Sequence, residues 1–176
     1  VRIQDFTAKG EAGQIELTTD RPYSIAGWTQ ISPEKFTLAP GAEQEITGII
    51  TVPNDAAGGH FGSFIFQTGA TQQKGTAGVY QEIASLFLVK VTGQIDEKLS
   101  ITKFSAPQYS EFSPIPLRIT FANTGNVHVK TYGLINVTDM FGKKVADIVV
   151  PPTNIFPQAD RVVTASLSDH FLIGPY

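Results

Sequence analysis

The chain has 176 residues, a formal net charge of −3 at pH 7 and no cysteine. Its 13 lysines and arginines give no basic field for a phosphate backbone, so a nucleic-acid partner is not expected. The absence of cysteine excludes disulfides and thiolate metal sites. No stretch approaches the roughly 20 apolar residues of a membrane span. Because Val1 opens directly into a strand pattern, any targeting or anchoring segment is expected outside this sequence.

Apolar and polar residues alternate between turns rich in Gly, Pro, Asn and Asp, with no helical period, so the sequence predicts an all-β fold. Ile46, Ile50 and Val52 are predicted to share one face of a strand. Residues 83–91 are apolar at odd and even positions, which predicts a central strand covered on both faces. Strands in the first half are expected near residues 1–6, 13–19, 34–38, 43–52, 60–68 and 79–92.

Residues 93–97 interrupt the apolar pattern with polar and turn-forming residues, and a domain boundary is expected there. We therefore predict two consecutive immunoglobulin-like β-sandwich domains, at residues 1–95 and 96–176. The second half contains about five strands, where a complete sandwich of this type has about seven. The second domain is thus expected to be truncated at its C-terminus, or else completed by a strand from a partner. We favour truncation. Its strands are expected to begin at residue 98 and to cover 117–121, 128–138, 144–150 and 160–167, with a hairpin at 140–143.

Several turns and strand starts resemble those of a known family. Residues 33–41 (PEKFTLAPG) and 52–64 (VPNDAAGGHFGSF) resemble the N-terminal domain of WxL-interacting proteins of Gram-positive cell surfaces, and more distantly the first domain of pilus chaperones. Residues 121–128 (FANTGNVH), 132–133 (YG) and 139–142 (DMFG) are similar to the immunoglobulin-like domain that follows in related surface proteins. The resemblance implies an exported, extracellular protein of the bacterial cell surface. It also implies that the first domain binds peptidoglycan and that the second contacts other proteins.

Catalytic chemistry is not expected from the histidines, each of which lies in or beside a turn. A triad needs a nucleophile and a carboxylate on opposite sides of one imidazole. Asp169 is adjacent to His170, which makes that arrangement awkward, and no G-x-S-x-G elbow is present. The sequence therefore predicts a protein that is not an enzyme. The histidines are His60, His128 and His170.

Metal, phosphate and glycan motifs are equally weak. Asp96 and Glu97 could contribute to a calcium site with backbone carbonyls, but a solvated acidic linker is the preferred interpretation because calcium takes six to eight oxygen ligands. Residues 58–63 lack the Lys-Ser/Thr ending of a phosphate loop, so their glycines are expected to permit positive φ and close packing at a strand start. The sequon at Asn136 is interpreted as a chance match within a strand. No cofactor and no metal are predicted.

Two regions are candidate contact surfaces. Trp28, with Tyr23 and Phe36 nearby in sequence, could form an aromatic platform for sugar rings, although a core tryptophan is the preferred alternative. The polar, small-residue segment 69–78 is a candidate variable contact loop. The contact residues predicted from these two regions are Trp28, Tyr23, Gln72, Gln73 and Lys74.

These observations predict a non-catalytic module that binds peptidoglycan, another wall polymer or a surface protein. The alternative is a structural subunit of a surface layer or filament, assembled by strand pairing or head-to-tail contacts. A wall hydrolase would instead require two carboxylates in one cleft, about 5–10 Å apart.

Overall fold

The computed structural model describes residues 1–19, 22–69, 80–108, 110 and 113–168, and in these ranges the chain is all-β, as predicted. One 3₁₀ turn, Ala26–Trp28, is present, and the described ranges contain no α-helix. The strands are β1 Arg2–Lys9, β2 Gln14–Thr18, β3 Thr29–Ser32, β4 Thr47–Ile50, β5 Gly58–Thr68, β6 Gln81–Val91, β7 Leu99–Ser105, β8 Ile115–Asn123, β9 Val129–Thr138, β10 Lys144–Ile155 and β11 Ala159–Leu167.

Residue contacts divide the chain into two compact units. The first comprises Val1–Thr7 and Ile15–Gln94, and the second comprises Ala8–Gln14 and Ile95–Tyr176. The sequence pattern places a domain boundary between residues 95 and 96. That the two units are separate immunoglobulin-like domains stays a prediction.

The first unit contains a four-stranded antiparallel sheet in the order β2-β1-β5-β6 and a two-stranded sheet, β3-β4. β5 is one of the two inner strands of the larger sheet, and most of its residues are buried. Successive side chains of a strand point to opposite faces, so Phe61 and Ile65 lie on one face and His60 on the other. On the His60 face, a Cβ at Gly62 would meet Ile25 at 2.6 Å, which shows how closely the chain packs there. The buried apolar residues of the first unit are Phe6, Ile25, Phe61 and Ile65.

The predicted central position of residues 83–91 is wrong. β6 covers them, but it is an edge strand that pairs with β5 alone among the described elements. From Gln81 to Leu86 every residue is exposed, and none of the strand is fully buried. The run of apolar residues correctly indicated a strand, but strand order depends on long-range pairing, which a local pattern does not encode.

Two other strand predictions also differ from the structure. Residues 34–38 form no strand, and Phe36 and Leu38 are exposed. The strand lies instead at Thr29–Ser32 and ends before Pro33, which has no N–H to donate to a ladder. The strand predicted at 43–52 is limited to Thr47–Ile50. Ile46 and Val52 lie outside it, so the shared face predicted with Ile50 does not form.

The second unit contains a three-stranded antiparallel sheet, β11-β8-β7, and a two-stranded antiparallel sheet, β10-β9. Their inner faces form two adjoining apolar clusters, to which β8, β10 and β11 all contribute. Ile135 of β9 packs against both clusters. The arrangement is that of a β-sandwich, and the five strands that the structure describes in this unit match the number expected from the sequence. The buried members are Leu117, Ile119, Phe121, Ala146, Ile148, Val150, Ile155, Val163, Ala165 and Leu167.

The turns of the second unit follow the sequence signals. At the β9–β10 hairpin, the Asp139 carboxylate accepts hydrogen bonds from the Phe141 and Lys143 amides, both at 2.9 Å. Gly142 has φ = +81°, a conformation that favours glycine. After β8, the buried Asn123 side chain donates to the Val127 and Ile155 carbonyls and closes the turn that follows. Both turns were predicted.

Candidate functional site

Trp28 and Tyr23 do not form the predicted aromatic platform together. The Trp28 ring lies 4.3 Å from the His60 ring, and the Tyr23 ring lies 5.8 Å from the Phe61 ring, measured between centroids. His60 and Phe61 are neighbours in β5 and point to opposite faces of the sheet. Trp28 and Tyr23, both half-buried, therefore pack on opposite faces. Whether either residue contacts a ligand stays a prediction.

A buried polar cluster holds the 3₁₀ turn that carries Trp28. The Asp5 carboxylate accepts three hydrogen bonds, from the Ser24 hydroxyl at 2.5 Å and from the Ile25 and Ala26 amides at 2.9 Å. Asp5 is buried, so these bonds replace the water that its carboxylate loses on folding. The cluster fixes the start of the turn and with it the position of the indole.

Ser24, His60 and Asp5 are the residue types of a catalytic triad, but they are not connected as one. In a triad the serine hydroxyl donates to histidine, and histidine donates to aspartate. Here the Ser24 hydroxyl donates to Asp5, and His60 Nδ1 lies 3.1 Å from the Ser24 backbone carbonyl. His60 Nε2 is buried and has no hydrogen-bond partner among the described residues. This geometry supports the turn and provides no proton relay to the hydroxyl.

The glycine-rich segment 58–63 forms the first half of β5. Gly58 has φ = +92°, and a Cβ at Gly62 would lie 2.7 Å from the Phe87 ring. The expected roles, positive φ and close packing, are confirmed at these two positions.

No group of three or more potential metal ligands occurs in the part of the chain that the structure describes. Asp96, the first residue of the candidate calcium pair, bonds instead to its neighbours. Its carboxylate lies 2.7 Å from Lys98 Nζ, and its backbone amide donates to the Asn126 side chain at 2.8 Å.

Several predicted residues lie outside the described ranges. They include Gln72, Gln73 and Lys74, together with the rest of the candidate loop after Gly69. They also include Asp169 and His170. Of the predicted contact residues, the structure therefore places only Trp28 and Tyr23.

Two of the surface grooves among the described residues lie on the second unit. One, of about 390 Å³, runs between β10 and β11, and Asp147 is the only carboxylate in its lining. The other, of about 340 Å³, brings two carboxylates, Glu11 and Asp160, together with Lys103 and Arg118. All four of these side chains are exposed to solvent. Solvent screens such surface charges, so the attraction between these groups contributes little.

In the first groove, the groups around Asp147 favour its ionised form. Hydrogen bonding to the Lys144 side chain, with a further bond from Asn136, lowers the pKa of Asp147 below its ordinary value of 3.8. A lowered pKa keeps this carboxylate ionised at neutral pH, the opposite of what a general acid needs.

The exposed edge strand β6 is the feature that the sequence pattern did not anticipate. Ile83 is 69% exposed and Leu86 is 39% exposed. Residues 83–89 contain no charged side chain, and Glu82 is engaged by Arg2 at 3.0 Å. A long apolar edge with a free backbone is the kind of surface that accepts an additional strand. The sequence signal for this edge was the run of residues 83–91, which is apolar on both faces and was interpreted as a strand buried within the chain.

Within the described residues, no helix has the length and hydropathy needed to cross a membrane. Comparison of the chain with protein-family models, curated proteins and solved structures found no match.

Proposed function

We propose that this chain is a non-catalytic binding module of a bacterial cell surface, built from immunoglobulin-like sandwiches, whose first unit binds a polypeptide partner by strand addition to β6. The observation that carries the proposal is the exposure of this edge. β6 has 11 residues and one described neighbour, and its apolar side chains are accessible on both faces.

The other edge strands of the first unit lack this combination. β4 has only four residues. β2 has five and carries Glu16 at its centre. Short length and charge are two of the means by which proteins protect sheet edges from pairing. In β6, by contrast, seven consecutive residues from Ile83 to Val89 carry no charge.

A paired strand would provide what β6 lacks. Its backbone would hydrogen-bond to the amides and carbonyls between Ile83 and Val89 that pair with no described strand, and its side chains would cover Ile83 on one face and Leu86 on the other. Burying apolar surface contributes roughly 25 cal/mol per Å². The bound state would then match the two-faced burial that the sequence pattern predicts for this strand.

The test uses a fluorescein-labelled peptide that copies β5, since β5 already pairs with β6 in antiparallel register. We expect saturable binding in fluorescence anisotropy. Ile83→Lys is expected to weaken it about tenfold or more, because it charges the edge at an exposed position. Val149→Lys is the matched control, since Val149 is also 69% exposed but lies in the second unit. It should leave binding unchanged.

A second arm examines the wall polymer that the family resemblance implies. The chain and both variants are cosedimented with insoluble peptidoglycan over a salt series. Salt-tolerant pelleting that Ile83→Lys does not alter, together with no specific peptide binding, would replace the strand-addition proposal with direct wall binding. A scrambled peptide that binds as well as the β5 copy would also refute it.

A further inference from the structure

The second sandwich is uncovered on one side. β7 pairs with β8 so that Leu99, Ile101 and Phe104 lie opposite Asn123, Phe121 and Ile119, whose side chains face the core. A strand that pairs directly opposite another directs the paired side chains to the same face. The three β7 side chains therefore point to the inner side of the sandwich. We call them the β7 stripe.

Exposure changes abruptly across this one sheet. The apolar residues at the centre of the inner face are all below 9% exposed: Leu117, Ile119 and Phe121 of β8, and Val163, Ala165 and Leu167 of β11. In the β7 stripe, Leu99 is 36%, Ile101 is 62% and Phe104 is 54% exposed. The cause lies in the opposing sheet, which has two strands against three. β10 packs against β11, and the exposure of the stripe shows that no strand among the described residues covers it.

The same side carries a backbone edge that pairs with no described strand. β9 pairs only with β10 among the described strands, and its Ile135 reaches the core clusters formed with β8. Because β10 packs on the β11 side, the unpaired edge of β9 faces the β8 and β7 side. One additional strand hydrogen-bonded to β9 would extend the second sheet over the β7 stripe.

From this geometry we infer that the second unit is a strand acceptor, which binds an extended segment of a partner polypeptide between the β9 edge and the β7 stripe. The partner segment carries apolar side chains at alternate positions, directed at the stripe. This site lies in a different unit from β6 and does not depend on the function proposed above.

The size of the opening favours a strand over a second folded copy. The three stripe side chains expose on the order of 300 Å², well below the roughly 800 Å² that each partner buries in a stable complex of folded proteins. An added strand compensates through its main-chain hydrogen bonds, which a docked folded surface would not make to the β9 edge.

The probe is a fluorescein-labelled peptide copying residues 144–150 of β10. This segment pairs with β9 in the fold and directs Ala146, Ile148 and Val150 to the inner face. Ile101→Glu places a charge in the stripe, and its exposure of 62% means that the unbound chain should still fold. Val149→Glu, 69% exposed on the outer face of the same sandwich, is the matched control.

We expect saturable binding that Ile101→Glu weakens at least about tenfold and that Val149→Glu leaves within about twofold. Hydrogen exchange should slow at those β9 amides that do not bond to β10. Ile83→Lys in the first unit should have no effect, so failure here is distinguishable from failure of the β6 proposal. Binding that Ile101→Glu does not weaken, or binding without new protection in β9, would overturn the inference. A dimer of the unliganded chain that Ile101→Glu dissociates would overturn it too, because the occupant would then be a second copy.

Discussion

Asp5→Ala tests whether the buried polar cluster holds the first unit together. The substitution removes the acceptor for three hydrogen bonds and leaves the Ile25 and Ala26 amides without a partner in a largely buried site. A buried donor left unsatisfied costs about 1–3 kcal/mol. Two such donors predict a loss of about 2–6 kcal/mol in the free energy of unfolding. Asp5→Asn keeps one oxygen, which can still accept from both amides, so it should cost about 1 kcal/mol.

Trp28 is the only tryptophan in the chain and lies beside this cluster, so its fluorescence reports the unfolding of the first unit selectively. Equilibrium urea denaturation of the wild type and both variants gives the two differences in free energy. An Asp5→Ala variant destabilised by less than about 1 kcal/mol would refute the reasoning. So would an Asn variant as damaging as Ala, because it would show that the negative charge is required and not the acceptor geometry.

Three further predictions concern other sites. Asn123→Ala should destabilise the second unit by about 2–4 kcal/mol, because it leaves buried backbone groups unpaired, and faster amide exchange in β8 would reveal this. Gly62→Ala should cost about 1–3 kcal/mol in urea denaturation, since its Cβ would lie 2.6 Å from Ile25; an unchanged midpoint would contradict that packing. Lys144→Gln should raise the pKa of Asp147 toward 3.8 in an NMR titration. Folding lowers the pKa of Asp147, so its ionised carboxylate stabilises the folded state. This contribution to the free energy of unfolding is fully present above pH 3.8 and is lost as the pH falls through the pKa that Asp147 has in the folded state.

The sequence predicted local structure well where a single strand or turn carries its own signal. The alternation in residues 117–121 gave β8, and the turns after Asn123 and around Asp139 were identified from residue type. These features depend on near neighbours in the chain, so a local pattern contains most of what determines them. Phe36 and Leu38 show the limit. They alternate with polar residues as a strand would, yet they pair with no strand and stay exposed.

Site features proved harder to predict because they depend on which distant segments meet. Nothing in the sequence near His60 or Asp5 indicates that both would bond to Ser24. The pairing of Trp28 with His60 and of Tyr23 with Phe61 likewise follows from the register of β5 against its neighbours. Sequence proximity suggested one aromatic platform, while strand alternation separates the two rings.

β6 shows why an incorrect burial prediction can still be informative. It carries large apolar residues that the sequence pattern marks for burial, yet it lies at the edge of its sheet; β7, which carries the exposed stripe, also lies at an edge. A protein that needs only to stay soluble protects such edges with charge or short length, as β2 and β4 do here. Retaining Ile83 and Ile101 in exposed positions is unfavourable in water unless another strand covers them. The mismatch between pattern and exposure therefore identifies the two edges at which binding experiments should begin.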